Sequence, residues 1–183
     1  MNAAGDKALV LLSGGQDSTT CLYWAIDRFG RDCVTAMSFD YGQRHRIELE
    51  CAAKIAVAAR VSYICLPIDT FTALGGDALT QSDVEVQTGL DPDTGLPNTF
   101  VPGRNLIFLT YAAAYAYQHD IGHLVAGVAQ TYYSGYPDCR RETLDSLQET
   151  LRLGMESDVQ IHAPLMQKSK KDTVELARDL GAL

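Results

Sequence analysis

The sequence predicts an α/β fold: a doubly wound, mostly parallel sheet with helices on both faces. Two observations carry this. Short continuous apolar runs alternate with longer stretches of helical periodicity, which is how strands buried on both faces and their crossover helices read in sequence. The first apolar run ends in a Gly-Gly turn that opens a helical pattern, the arrangement of the ligand-binding carboxyl edge in such sheets. The 183 residues show no internal repeat or low-complexity tract. They are expected to form one domain, 1–183, long enough to bury about 70% of its unfolded surface.

Lys7 to Leu12 reads as the first strand, and Ser18 to Phe29 as a helix with Cys21, Leu22, Ala25, Ile26 and Phe29 on one stripe. Cys33 to Phe39 is the second strand. Ile47 to Arg60 is an Ala-rich helix with Leu49, Ala52, Ala53 and Ala56 on one side, and Val61 to Ile68 is the third strand. The pattern then breaks over about 69–103, a segment rich in Gly, Pro, Asp and Thr. A loop of that length inside a compact domain is either functional or disordered. Beyond it come a helix at about 105–118, a strand at about 123–129, and helices at about 140–155 and 170–180, with Gly181 placed to end the last one.

A hydrophobic content of 46% and a charged content of 21% fit a soluble globular chain. Fifteen basic against 23 acidic residues give a net charge of −8, and no Lys/Arg cluster stands out. This argues against a nucleic-acid partner but leaves ATP open, because backbone N–H groups and a metal meet its charge locally. No apolar run approaches a membrane span and the first seven residues resemble no leader, so the expected setting is cytoplasmic, with no membrane partner. Cys21, Cys33, Cys51, Cys65 and Cys139 are odd in number and form no CxxC pair. They predict packing residues in a reducing compartment rather than disulfides or zinc ligands.

The first strand ends at Leu12 and runs into Ser13-Gly14-Gly15-Gln16-Asp17-Ser18. Two glycines let the backbone turn sharply and approach an anion. Successive N–H groups and the helix N-terminus then make a positive nest, to which the Ser13 and Ser18 hydroxyls add donors. Leu12 through Ser18 are the candidate ATP-binding residues, with Asp40 at the end of the second strand. A carboxylate does not sit bare against phosphate, so Asp17 either caps the helix or meets a magnesium ion. Neither GxxxxGK[ST] nor GxGxxG occurs at this turn, which excludes a Walker loop and a dinucleotide fingerprint. Further on, Pro102-Gly103-Arg104-Asn105 precedes a helix. Gly103 permits close backbone approach, Arg104 offers a bidentate fork to carboxylate or phosphate, and Asn105 is a ligand contact or a helix cap.

SGGxDS after a first strand resembles the loop of PP-loop ATP-pyrophosphatases, which cleave ATP between the α- and β-phosphates and transfer AMP. Within that superfamily, Phe39-Asp-Tyr-Gly-Gln-Arg-His45, Asn98-Thr-Phe-Val-Pro-Gly-Arg-Asn105, Ser134-Gly-Tyr-Pro-Asp-Cys-Arg140 and Ala163-Pro-Leu-Met166 resemble, in the same order, the 7-cyano-7-deazaguanine synthase family. The resemblance covers nearly the whole chain, and the four stretches together are far more specific than the loop alone. It implies an adenine nucleotide alpha hydrolase-like, Rossmann-like fold. It also implies ATP- and magnesium-dependent conversion of 7-carboxy-7-deazaguanine and ammonia to the nitrile preQ0 in queuosine biosynthesis, and a homodimer.

By the same resemblance, Asp17, Arg104, Arg140 and Lys170 are the expected catalytic residues, and Gly103, Arg104, Asn105, Tyr136 and Asp138 the expected substrate contacts. Tyr136 would stack on the deazaguanine ring. Asp138 would accept from its amidine-like edge, or serve instead as a helix N-cap. Arg140 would face the substrate carboxylate or a phosphate, and Lys170 the α-phosphate or the leaving pyrophosphate. Cys139 reads as packing. In two respects the sequence departs from the family. Tyr132 stands where an acid is usual, and the family's four-cysteine zinc cluster has no counterpart among the five cysteines. These departures keep open a nucleotide-binding or regulatory paralogue without nitrile synthase activity. A PP-loop tRNA sulfurtransferase would need a cysteine pair and a basic surface, and neither is visible.

Overall fold

In the computed structural model, which describes residues 6–42, 47–70, 100–129 and 136–183, the apolar runs become strands β1 (Ala8–Leu11), β2 (Val34–Asp40), β3 (Ser62–Pro67), β4 (His123–Val125) and β5 (Gln160–His162). They pair in parallel throughout, in the order β3-β2-β1-β4-β5. The described helices are α1 (Gln16–Phe29), α2 (Ile47–Ala59), α3 (Arg104–Gln118), α4 (Arg141–Met155) and α5 (Lys170–Asp179). The chain winds outward from β1 to β3, then returns to lay β4 on the other side of β1. The carboxyl ends of β1 and β4 therefore flank the topological switch point, where such sheets bind ligands.

The alternation of side chains along β1 sorts the helices. Ala8 and Val10 pack with Cys21, Leu22 and Ala25 of α1, Ala52 and Ala56 of α2, and Leu176 of α5. Leu9 faces the other way, with Met37 and Leu124, against Leu109 and Ala112 of α3 and Leu144 and Leu151 of α4. Leu9, Leu22, Leu109, Leu124 and Leu144 are fully buried, each contributing about 1.5–3 kcal/mol. The last helix is closed at both ends. Ser169 and Asp172 form a reciprocal capping box, and the N–H groups of Gly181 and Ala182 return to the carbonyls of Arg178 and Ala177, so Gly181 does end it as expected.

Three elements differ from the sequence expectation. β5 has no period of its own in the sequence, because its three residues hold one inward apolar side chain, Ile161, between Gln160 and His162. β4 stops at Val125; the Ala126 N–H still donates to His162 C=O at 2.9 Å, and Gly127 beyond it runs against α1. The first helix begins at Gln16, two residues before Ser18. Residues 71–99 of the long loop, and Gln43, Arg44, His45, Asn98, Thr99, Tyr132, Ser134 and Gly135, lie outside the described residues. Among the described residues, no helix is long and apolar enough to cross a membrane.

Candidate active site

The loop after β1 is anchored before it turns. Leu12 N–H donates to Met37 C=O at 2.7 Å, and the buried Ser38 Oγ donates to Leu12 C=O at 2.5 Å. Gly14 then adopts φ +87°, and a Cβ there would lie 2.5 Å from Glu48 O and 3.0 Å from Ala52 N. Only glycine meets both demands, the left-handed backbone and the contact with α2. Ser18 ties the loop into a ring: its Oγ lies 3.0 Å from Ser13 Oγ, donates to Gly15 C=O at 3.0 Å and accepts Ser13 N–H at 3.2 Å. Gly15 is the N-cap of α1 and has no side-chain cap. The capping alternative for Asp17 therefore fails: Asp17 lies inside the first turn, and its Oδ1 meets Lys170 Nζ at 2.8 Å. Lys170 opens α5, 153 residues away.

Gly127, just past β4, is a site residue that the sequence reading missed. A Cβ there would come within 3.0 Å of Ser18 N and 3.1 Å of Asp17 C, so the exit of β4 runs directly against the first turn of α1. A glycine closely following a strand end was the available signal, obscured by extending that strand to Ala129.

A second group of residues gathers at the ends of β2 and α3. Asp40 Oδ1 accepts the N–H of Gly42 at 3.4 Å. Next to it, Tyr41 Oη accepts from Arg104 Nη1 at 3.4 Å, with the guanidinium 5.8 Å from the tyrosine ring centroid, within cation–π range. Gly103 caps α3 with φ +73°, so Asn105 is not the N-cap. Its backbone N–H donates to Asp138 Oδ2 at 3.0 Å, and its Nδ2 reaches Cys139 Sγ at 3.3 Å. Asp138 is 4% exposed. It does not cap its own helix, whose N-cap is Arg140, but satisfies an orphan donor at the start of α3. One oxygen of the carboxylate expected to read a heterocycle edge thus also holds the start of α3.

Burial, and then the neighbouring Asp138, push the Cys139 thiol up to about 12, so at neutral pH it is no nucleophile. The Tyr136 ring lies 5.5 Å from that of Phe100. Arg140 is exposed, with no side-chain partner among the described residues. Among the described residues, no three His, Cys, Asp or Glu side chains come together to hold a metal.

A hydroxyl-lined backbone nest at the switch point of a parallel sheet, with no Walker lysine, defines a nucleotide-binding α/β protein of the PP-loop type. The chain belongs to the family described as "Queuosine biosynthesis protein QueC", whose model matches residues 7–183. It is 63% identical over 184 residues to the 7-cyano-7-deazaguanine synthase of Chromobacterium violaceum, spanning 100% of this chain and 79% of that protein. It is 61% identical over 178 residues to the 7-cyano-7-deazaguanine synthase of Laribacter hongkongensis, spanning 97% and 77%. Among solved structures, it is similar to the NH3-dependent NAD synthetase from Campylobacter jejuni (TM-score 0.57, 15% identity, 99% of this chain and 66% of that one). It is also similar to the U34-tRNA thiolase NcsA from Methanococcus maripaludis (TM-score 0.55, 14% identity, 96% and 57%). At such identities these structures show the fold alone.

Proposed function

We propose that this chain uses ATP to convert 7-carboxy-7-deazaguanine and ammonia to 7-cyano-7-deazaguanine, as the names of its relatives indicate. The observation that carries the reading is the Ser13–Ser18 ring at the switch point with Lys170 drawn onto Asp17 beside it. A carboxylate is a poor electrophile. Attack of its oxygen on the α-phosphorus, with pyrophosphate leaving, gives an acyl-adenylate, and ammonia displaces AMP to form the amide. A second adenylation, on the amide oxygen, lets AMP depart as the nitrile forms. No side-chain nucleophile is needed, in keeping with a Cys139 that stays a thiol.

The chain's part is positioning and charge stabilisation. The N–H groups from Gly14 to Ser18, with Gln16 in the first helical turn, are the donors for the phosphates, while the Leu12 N–H is taken up by Met37 C=O; Asp40 is assigned to the ribose. The Lys170–Asp17 pair is 66% and 40% exposed, so it is worth only about 0–1 kcal/mol and can part cheaply. Lys170 then turns to the α-phosphate or the leaving pyrophosphate. Asp17 would then be the residue to hold a magnesium ion alongside the substrate phosphates, and the ion would supply neutralising charge. Arg104, held by Tyr41, and the exposed Arg140 add cations, while Tyr136 offers a stacking face. Asp138 holds the start of α3 and with it Gly103, Arg104 and Asn105.

The partners in this reading are small molecules, a second copy of the chain and no nucleic acid, in a cytoplasmic setting. Zinc is assigned no ligands here. The test is release of AMP and pyrophosphate with and without the carboxy-deazaguanine. ATP binding with no acid-dependent AMP would refute the synthase and leave a nucleotide-binding paralogue.

A further inference from the structure

From β5 the chain passes through two tight turns, Met166 N–H to Ala163 C=O and Lys168 N–H to Leu165 C=O at 3.1 and 3.0 Å, before Ser169 caps α5. These turns and the first residue of α4 border an open groove of about 390 Å³ lined by Arg141, Ala163, Pro164, Met166, Gln167 and Lys168. None of the six is acidic, in a chain whose net charge is −8. Its lining combines the apolar Ala163, Pro164 and Met166 with the Gln167 amide and two cationic residues from segments 27 residues apart in sequence. That composition matches a flat heteroaromatic ring bearing an anionic substituent: apolar faces against Ala163, Pro164 and Met166, polar edge to Gln167, anion to the cations.

The position fits as well. Lys168 lies two residues before Lys170, whose Nζ touches Asp17 in the phosphate loop at 2.8 Å, and the capping box at Ser169 fixes that spacing. Arg141 directly follows the segment whose Asp138 ties down α3. Asp145 holds the Arg141 guanidinium through Nη2 at 2.6 Å, which orients its fork.

We infer that this groove is the subsite for the acid substrate, with Arg141 and Lys168 binding its carboxylate and Gln167 an edge of the heterocycle. The inference rests on the synthase reading above and assigns the substrate carboxylate to Arg141 rather than to the exposed Arg140. The cations hold the carboxylate on the Lys170 side of the groove, toward the phosphates bound by the loop. The amide formed midway carries no charge, so the same cations grip it less.

The test uses the full chain with Arg141→Gln and Lys168→Met, the latter keeping an apolar stem should the former impair folding. KM is measured for the carboxy-deazaguanine and, separately, for its carboxamide, beside ATP affinity by titration. Loss of one charge-assisted partner is expected to raise the acid KM about tenfold or more. The rise should be several-fold smaller for the carboxamide, and ATP affinity should be unchanged. An acid KM within twofold of the unsubstituted protein in both variants would overturn the inference, as would equal losses for acid and carboxamide. If the unsubstituted protein makes no AMP from the acid, the synthase reading fails instead. The groove is then judged by direct titration of the acid: binding that the double variant loses supports it, and absence of binding overturns it.

Discussion

Replacing Gly127 by alanine alters a residue outside the Ser13–Ser18 loop, yet it should weaken ATP binding. The new Cβ would lie 3.0 Å from Ser18 N, 3.1 Å from Asp17 C and 3.2 Å from Ser18 Cα. All three are backbone atoms, so no side chain can swing aside. Either the exit of β4 or the first turn of α1 must shift by a few tenths of an ångström. Such overpacking costs about 1–3 kcal/mol. The first turn of α1 carries the Ser18 hydroxyl that closes the ring to Ser13, so relief on that side misplaces the phosphate donors. If the whole cost falls on the bound state, ATP affinity drops by roughly fivefold to 150-fold. Any part falling on the fold lowers Tm by about 2–4 °C per kcal/mol. Calorimetric titration of ATP into Gly127→Ala, beside a thermal melt, separates the two. Gly154→Ala is the control: a Cβ there meets nothing within 4 Å. An ATP Kd for Gly127→Ala within twofold of the unsubstituted protein would refute the claim that this contact sets the loop.

The control is itself a prediction. Gly154 is an exposed residue inside α4, so alanine there should raise stability by about 0.5–1 kcal/mol in urea unfolding. Lys170→Met should lower the rate of AMP formation by about 10²–10³-fold while Tm stays nearly constant, because its ion pair is exposed; a collapsed Tm with normal turnover would make Lys170 structural. Asp138→Ala should leave the Asn105 N–H unmatched and cost about 1–3 kcal/mol in urea, and an unchanged midpoint would remove Asp138 as the cap of α3. His162 predicts a pH dependence. Its Nε2 lies 3.0 Å from His123 Nδ1, among the rings of Trp24 and Phe29. Burial, then His123, then Arg28 lower it to about 4. The unfolded chain therefore binds this proton first, so the contribution is complete above about pH 6.5 and lost as pH falls toward 4. The urea midpoint should drop between pH 7.5 and 5, and less so in His162→Gln.

What the sequence by itself determined was whatever rests on local backbone chemistry and periodicity. The buried run before Leu12, the glycines and hydroxyls of the loop, the stripe of α1 and the closing Gly181 are each legible within a window of a few residues. Tertiary structure decided what those windows meet. Asp17 and Lys170 are 153 residues apart, and Asn105 and Asp138 are 33 apart. Sequence spacing could not show that the first pair joins, or that in the second Asp138 accepts the N–H of Asn105 at the start of another helix. β5 is a strand because the parallel ladder beside β4 was waiting for one, since a single inward Ile161 sets no period of its own. Gly127 became a site residue only when β4 was laid next to β1 and brought its exit against the backbone of Ser18. Hydrogen-bonding capacity and propensity belong to residues, but close approach belongs to pairs of elements, and only the packed sheet brings these pairs together.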